Sequence, residues 1–163
     1  MPEERCPGCG APVPEVEGPT HPYMHSAPGC WELYSALGNW HRGLGGDQGI
    51  TTVQNLVDAY AAQHATNPDR RNRQSVAVHL MSLCLAQEQG FPGRRRRALL
   101  GTWTHRDYPR LDPYPTAFAV TAYDVWQAAA PERPAVAARM AAATWVAWAP
   151  HHETVRRWLA ARG

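Results

Sequence analysis

The sequence predicts an all-α protein: a compact helical bundle with an N-terminal, loop-rich zinc knuckle packed on it. Three observations carry this. Residues 51–65 and 73–89 repeat their apolar side chains at helical spacing, and further helical patterns follow at 116–129 and 135–149. Pro and Gly fall between these segments, where helices start and stop. Residues 1–30 are instead studded with Pro and Gly and contain three of the four cysteines. A chain of 163 residues is long enough for a hydrophobic core and predicts one domain over 1–163, with 1–30 as the knuckle segment and 31–163 as the bundle.

In chain order, Pro28-Gly29 opens a short helix over 30–37, and Gly38 is its expected end. The glycine-rich run 43–49 follows no strand pattern, so it is expected to be a flexible connection and not a nucleotide-binding loop. Over 51–65, Val53, Leu56, Val57, Tyr60, Ala61 and His64 share one broad helical face, and Asn67-Pro68-Asp69 ends the helix. Over 73–89, Val76, Leu80 and Leu83 form an apolar stripe beside a polar line of Ser75, His79 and Ser82. Gly90-Phe91-Pro92-Gly93 stops that helix. The run Arg94 to Arg97 reads as a solvated turn or the polar start of a helix. Residues 101–115 read as a long Pro-rich loop, and long loops in small domains are often functional. Pro131 and Pro134 separate the last patterns, and Pro150 opens a final helix anchored by Val155, Trp158 and Leu159.

Composition excludes several classes. All 16 basic residues are arginine. Without lysine there is no Schiff-base chemistry on a lysine and no P-loop lysine. A formal charge of +2 makes no electrostatic case for nucleic acid or an anionic membrane. No apolar run approaches the ~20 residues of a membrane span. The first five residues lack a signal-peptide core. These features predict a cytoplasmic protein with reduced thiols.

Reduced, closely spaced cysteines favour metal over disulfide. In Cys6-Pro7-Gly8-Cys9-Gly10 the spacing lets two thiolates grip one tetrahedral zinc, and the glycines permit the turn. Cys30 supplies a third thiolate. His25 is the expected fourth ligand and His21 the local alternative; Cys84, His64 or His79 would serve if the knuckle docks on the helices. A thioredoxin-like redox pair needs a following helix, which the Pro-rich sequence does not offer. Cys84, in Leu83-Cys84-Leu85, otherwise reads as a small buried apolar residue.

The second chemical group is Asp58, Tyr60, His64, His79 and His152, expected to line a pocket between helices. Bundles commonly place metal sites there. Histidines with a carboxylate can hold a second transition metal, lower the pKa of its water, and leave Asp58 or a free histidine as base and Tyr60 as donor. Adjacent His151 and His152 point about 100° apart on a helix, so one faces inward, with His152 preferred.

Cys6-Pro7-Gly8-Cys9-Gly10, Gly29-Cys30-Trp31, Val57-Asp58-Ala59-Tyr60 with Gln63-His64, Gln74-Ser75 with His79-Leu80, and Trp148 before His151-His152 together resemble a bacterial family described only as a domain of unknown function. The resemblance spans most of the chain. It departs at Ala65, where the family often has Pro. It implies no activity, but it does imply that Asp58, His64, His79 and the His151-His152 pair belong to one constellation. The resulting expectation is a small-molecule metalloenzyme of hydrolase or lyase type with a structural zinc. The alternatives are a non-enzymatic zinc-stabilised binding module for protein or nucleic acid, and a metal or redox sensor with labile Cys6, Cys9 and Cys30.

Overall fold

The computed structural model describes residues 2–66 and 68–161; Met1, Asn67, Arg162 and Gly163 lie outside the described residues. Two short strands, β1 (Glu3–Arg5) and β2 (Pro12–Pro14), pair antiparallel with Glu4 opposite Val13. Seven α-helices follow among the described residues: α1 (Pro28–His41), α2 (Gly46–Ala62), α3 (Arg70–Gln89), α4 (Gly93–Trp103), α5 (Ala122–Gln127), α6 (Arg133–Ala147) and α7 (His152–Ala160). The protein is therefore a mostly helical bundle with a small N-terminal hairpin packed against it. No helix among the described residues is long and apolar enough to cross a membrane.

The hairpin forms in a segment expected to be loop-rich, with no strand foreseen. Its tight connection explains this: Cys6 N–H donates to Ala11 O at 3.0 Å, Gly10 N–H donates to Cys6 O at 2.8 Å, and Gly10 takes φ +77°. A left-handed residue at that point suits glycine alone. Val13 on β2 is fully buried, so the hairpin contributes to the core.

α2 is the central helix and contacts α3, α4 and α6. It begins at Gly46, five residues earlier than its apolar periodicity indicates. The glycine-rich run is thus helical in part: a Cβ on Gly49 would lie 2.7 Å from the carbonyl oxygen of Leu44. Tight packing, and not flexibility, requires glycine there. α1 likewise runs through Gly38 to His41, since an isolated glycine costs a helix only about 1 kcal/mol.

Asp69 caps α3 by accepting Arg71 N–H at 2.7 Å, and Gly90 ends it in the left-handed conformation. α5 covers only part of 116–129. Its start is set by a capping box in which Thr121 and Asp124 satisfy each other's backbone N–H groups, and Ala128 is already extended. α4 reaches Trp103, so the irregular segment begins at residue 104, later than expected.

Two apolar clusters hold the bundle together. One joins α3, α6 and α7 through Leu80, Leu83, Trp145, Trp148 and Val155, with Trp103 beneath them. The other joins the hairpin and the cysteines to α1, α2, α5 and α6 through Val13, Leu37, Leu56, Val125 and Met140.

Candidate metal centre

Cys6, Cys9, Cys30 and His64 converge, with one ligand atom from each lying within 4.8 Å of all the others. None of the four is more than 2 % exposed. The hairpin connection brings Cys6 and Cys9, the first turn of α1 brings Cys30, and the segment just past α2 brings His64. The spacing is that of a coordination shell. Cys9 Sγ is 3.8 Å from Cys30 Sγ, and His64 Nε2 is 3.5 Å from the Sγ atoms of both Cys6 and Cys30. A tetrahedron with bonds of about 2.3 Å to sulfur and about 2.05 Å to nitrogen has edges of about 3.8 Å and about 3.6 Å. A disulfide would need sulfurs at about 2.05 Å. The donor set and its geometry therefore fit a four-coordinate metal ion.

The surroundings prepare these donors. A carbonyl can only accept, so the 2.6 Å contact between His64 Nδ1 and Tyr60 O places the proton on Nδ1 and leaves the Nε2 lone pair facing the sulfurs. Asn72 Nδ2 donates to the His64 carbonyl at 2.8 Å. Ala27 N–H donates to Cys6 Sγ at 3.5 Å and Tyr60 Oη–H to Cys30 Sγ at 3.6 Å. Cys30 sits in the first turn of α1, where the helix dipole favours a thiolate. Hydrogen bonds from Cys30 and Cys9 hold Cys6 far below the ordinary thiol range. Bonding to Cys6 and Cys9, with burial, pushes Cys30 far above it. A divalent cation would displace such protons on binding.

The expected fourth ligand, His25, is exposed and stands outside this group. Its backbone carbonyl presses on the Gly8 side of the turn instead. His21 Nδ1 accepts the N–H groups of Tyr23 and Met24 at 3.3 Å. Cys84 also stands apart: its thiol donates to Glu88 Oε2 at 3.5 Å, and burial pushes it up to about 12.

The five residues expected in one pocket separate into three places. His64 and Tyr60 lie at the cysteine cluster, where the Tyr60 ring stacks on Tyr34 at 3.9 Å and lies 4.0 Å from the His64 ring. His152 stacks flat on Trp145 at 3.6 Å, and its Nε2–H donates to Trp145 O at 2.6 Å. Its neighbour His151 is the more buried of the two and donates from Nε2 to Pro113 O at 2.6 Å. Asp58 and His79 remain together.

Asp58 is fully buried and accepts four donors. Gln54 Nε2 and His79 Nδ1 reach Oδ1 at 2.8 and 2.7 Å. Arg96 Nη1 reaches Oδ2 at 2.7 Å, and Ser82 Oγ donates to the same oxygen. Four donors fill a carboxylate's lone pairs, so Asp58 has no site left for a metal or a substrate proton. Arg96, itself 1 % exposed, also donates from Nη2 to Asn55 Oδ1 at 2.7 Å. Gln54, Asn55 and Arg96 lie outside the constellation expected from the sequence. Gln54 was detectable, being one helical turn before Asp58. Arg96 was hidden in a run of four arginines, of which it is the buried one.

Among the described residues no second group of three or more His, Cys, Asp or Glu side chains comes close enough to share an ion. No curated protein and no solved structure matches the chain significantly. A family model does match, over residues 4–149, a span that takes in all four candidate ligands and the Asp58 cluster; the chain belongs to the family of unknown function DUF5946.

Proposed function

We propose that this protein is a zinc-stabilised binding module in which Cys6, Cys9, Cys30 and His64 hold one structural zinc. The carrying observation is that four buried protein donors converge within 4.8 Å of one another, the number a four-coordinate ion needs. Such a set leaves no position for water or substrate, which separates structural from catalytic zinc. The ion would tie the hairpin to α1 and α2, adding to the apolar cluster those elements already share. Burial of all three thiols argues against a labile sensor, which needs accessible thiolates.

Elemental mass spectrometry on untagged protein tests this. One zinc per chain is expected in wild type and in His79→Ala, and none in Cys9→Ser or His64→Ala. A second metal lost only in His79→Ala would restore the metalloenzyme reading. Wild-type protein free of metal, never exposed to chelator, would sink the zinc reading.

A small-molecule hydrolase or lyase is the second reading, and the 2.7 Å bond from His79 Nδ1 to Asp58 favours it. His79 would be the base and Asp58 the group that positions it, without a second metal. An ester-hydrolysis screen in which His79→Gln keeps every wild-type rate would remove this reading.

A further inference from the structure

His79 is held from behind and open in front. Its Nδ1–H is committed to Asp58, which fixes the tautomer and turns Nε2 toward the other side of the ring. His79 retains some exposure, 15 % of its side chain, and lines an open cleft of about 310 Å³ between α3 and the end of α4. That volume lies at the lower end of the range for small-molecule sites, about 300–1,000 Å³.

Arg71, Ser75 and His79 follow at i, i+4 and i+8 along α3, so the wall they form is about 12 Å long. Leu100 and Thr104 stand on the opposite wall, and Tyr23 is at the Arg71 end. The Arg71 guanidinium lies 4.5 Å over the Tyr23 ring. None of the lining residues is acidic. The charge of Asp58 is matched by Arg96 behind the wall, so the cleft presents a positive face.

We infer that this cleft binds a small organic phosphate monoester. Arg71 supplies planar, charge-assisted donors suited to phosphate oxygens. Ser75 adds a hydroxyl donor. With Nδ1 committed to Asp58, Nε2 of His79 offers a further polar contact to a phosphate oxygen. The Leu100 side offers apolar surface to the organic part. This inference deepens the binding-module reading by naming a ligand class, and it does not depend on which metal the cysteines hold.

Phenyl phosphate is the probe, titrated into full-length, metal-loaded protein and followed through the histidine side-chain signals in 1H–15N NMR. A saturable shift of the His79 ring is expected, with Kd in the low millimolar range or tighter. By calorimetry, Arg71→Ala and His79→Gln weaken binding about fivefold or more, as loss of a charge-assisted bond predicts, while both keep their zinc. No saturable shift up to about 20 mM, a bound of only ~2.3 kcal/mol, overturns the proposal. So does an unchanged Kd in both variants, or equal binding of benzyl alcohol. Zinc-free wild-type protein that still binds phenyl phosphate at His79 would remove the metal reading and leave this one standing.

Discussion

His64 Nε2 lies 3.5 Å from the sulfur of Cys30, although 34 residues separate them in the chain. One residue follows the end of α2 and the other sits in the first turn of α1, so their contact sets how these helices meet the hairpin. A ligand removed at either end should release the hairpin. His64→Ala and Cys30→Ser are each expected to lose the metal and to lower stability by on the order of 3 kcal/mol or more, because structural metal binding is folding free energy. Thermal melts with and without chelator check this; chelator should lower the wild-type Tm and leave that of either variant unchanged.

Tyr60 supports the centre without being a ligand. Tyr60→Phe keeps the ring stack on Tyr34 and His64 and removes only the Oη–H bond to Cys30 Sγ. Stability should fall by about 1 kcal/mol. Metal affinity in a chelator competition should fall about tenfold, as for other partners of ligating atoms. Unchanged affinity would show that the hydroxyl does not tune the sulfur.

Gly8 tests the site without replacing any of the four donor residues. A Cβ there would overlap His64 Cδ2 and the carbonyl oxygen of His25. Gly8→Ala should therefore displace the imidazole and weaken metal binding with all four donors intact. Normal metal affinity in this variant would contradict the close approach of turn and ring.

The Asp58–Arg96 pair is the main electrostatic commitment of the core, with both side chains at or below 1 % exposure. Asp58→Asn leaves a buried guanidinium uncompensated and should cost about 3–5 kcal/mol in urea unfolding. Arg96→Gln should cost a similar amount. The double variant should cost clearly less than the sum, since removing both charges also removes the desolvation penalty. Additive losses would mean the two groups do not act as a pair.

Glu88 ties α3 to α7 through hydrogen bonds with Arg156, the shortest at 2.6 Å. Arg156 holds the Glu88 carboxyl below its ordinary value of 4.5. A depressed carboxylate stabilises the fold above its unfolded pKa, and that stability is lost as pH falls through the folded value. The Tm gap between wild type and Glu88→Gln should be present at neutral pH and close only below about pH 4.5. Arg156 is half exposed, so the gap should be small and should shrink in high salt. A gap that persists in strong acid would point to packing instead.

Much of the helical bundle was legible in the sequence because helix periodicity and Pro/Gly punctuation are local signals. α3 and α6 lie within a few residues of their expected ranges. Local signals failed where a neighbour decided the outcome: Gly49 is a glycine within a helix because Leu44 packs too close for a Cβ, and α5 starts late because Thr121 and Asp124 cap each other. The three cysteine donors were likewise legible, since Cys-x-x-Cys spacing encodes a two-thiolate grip within one turn. The fourth donor was not. Closeness in the chain favours His25 over His64, and only the packing of α2 beneath the hairpin connection buries His64 and leaves His25 in solvent. The same holds for the histidines further along. Residue type and helical spacing determined that Asp58, His64 and His79 are chemically able; tertiary structure decided their partners. His64 joined the sulfurs because Tyr60 O orients it, and Asp58 turned from base to anchor because Arg96, from a distant helix, fills its last lone pair.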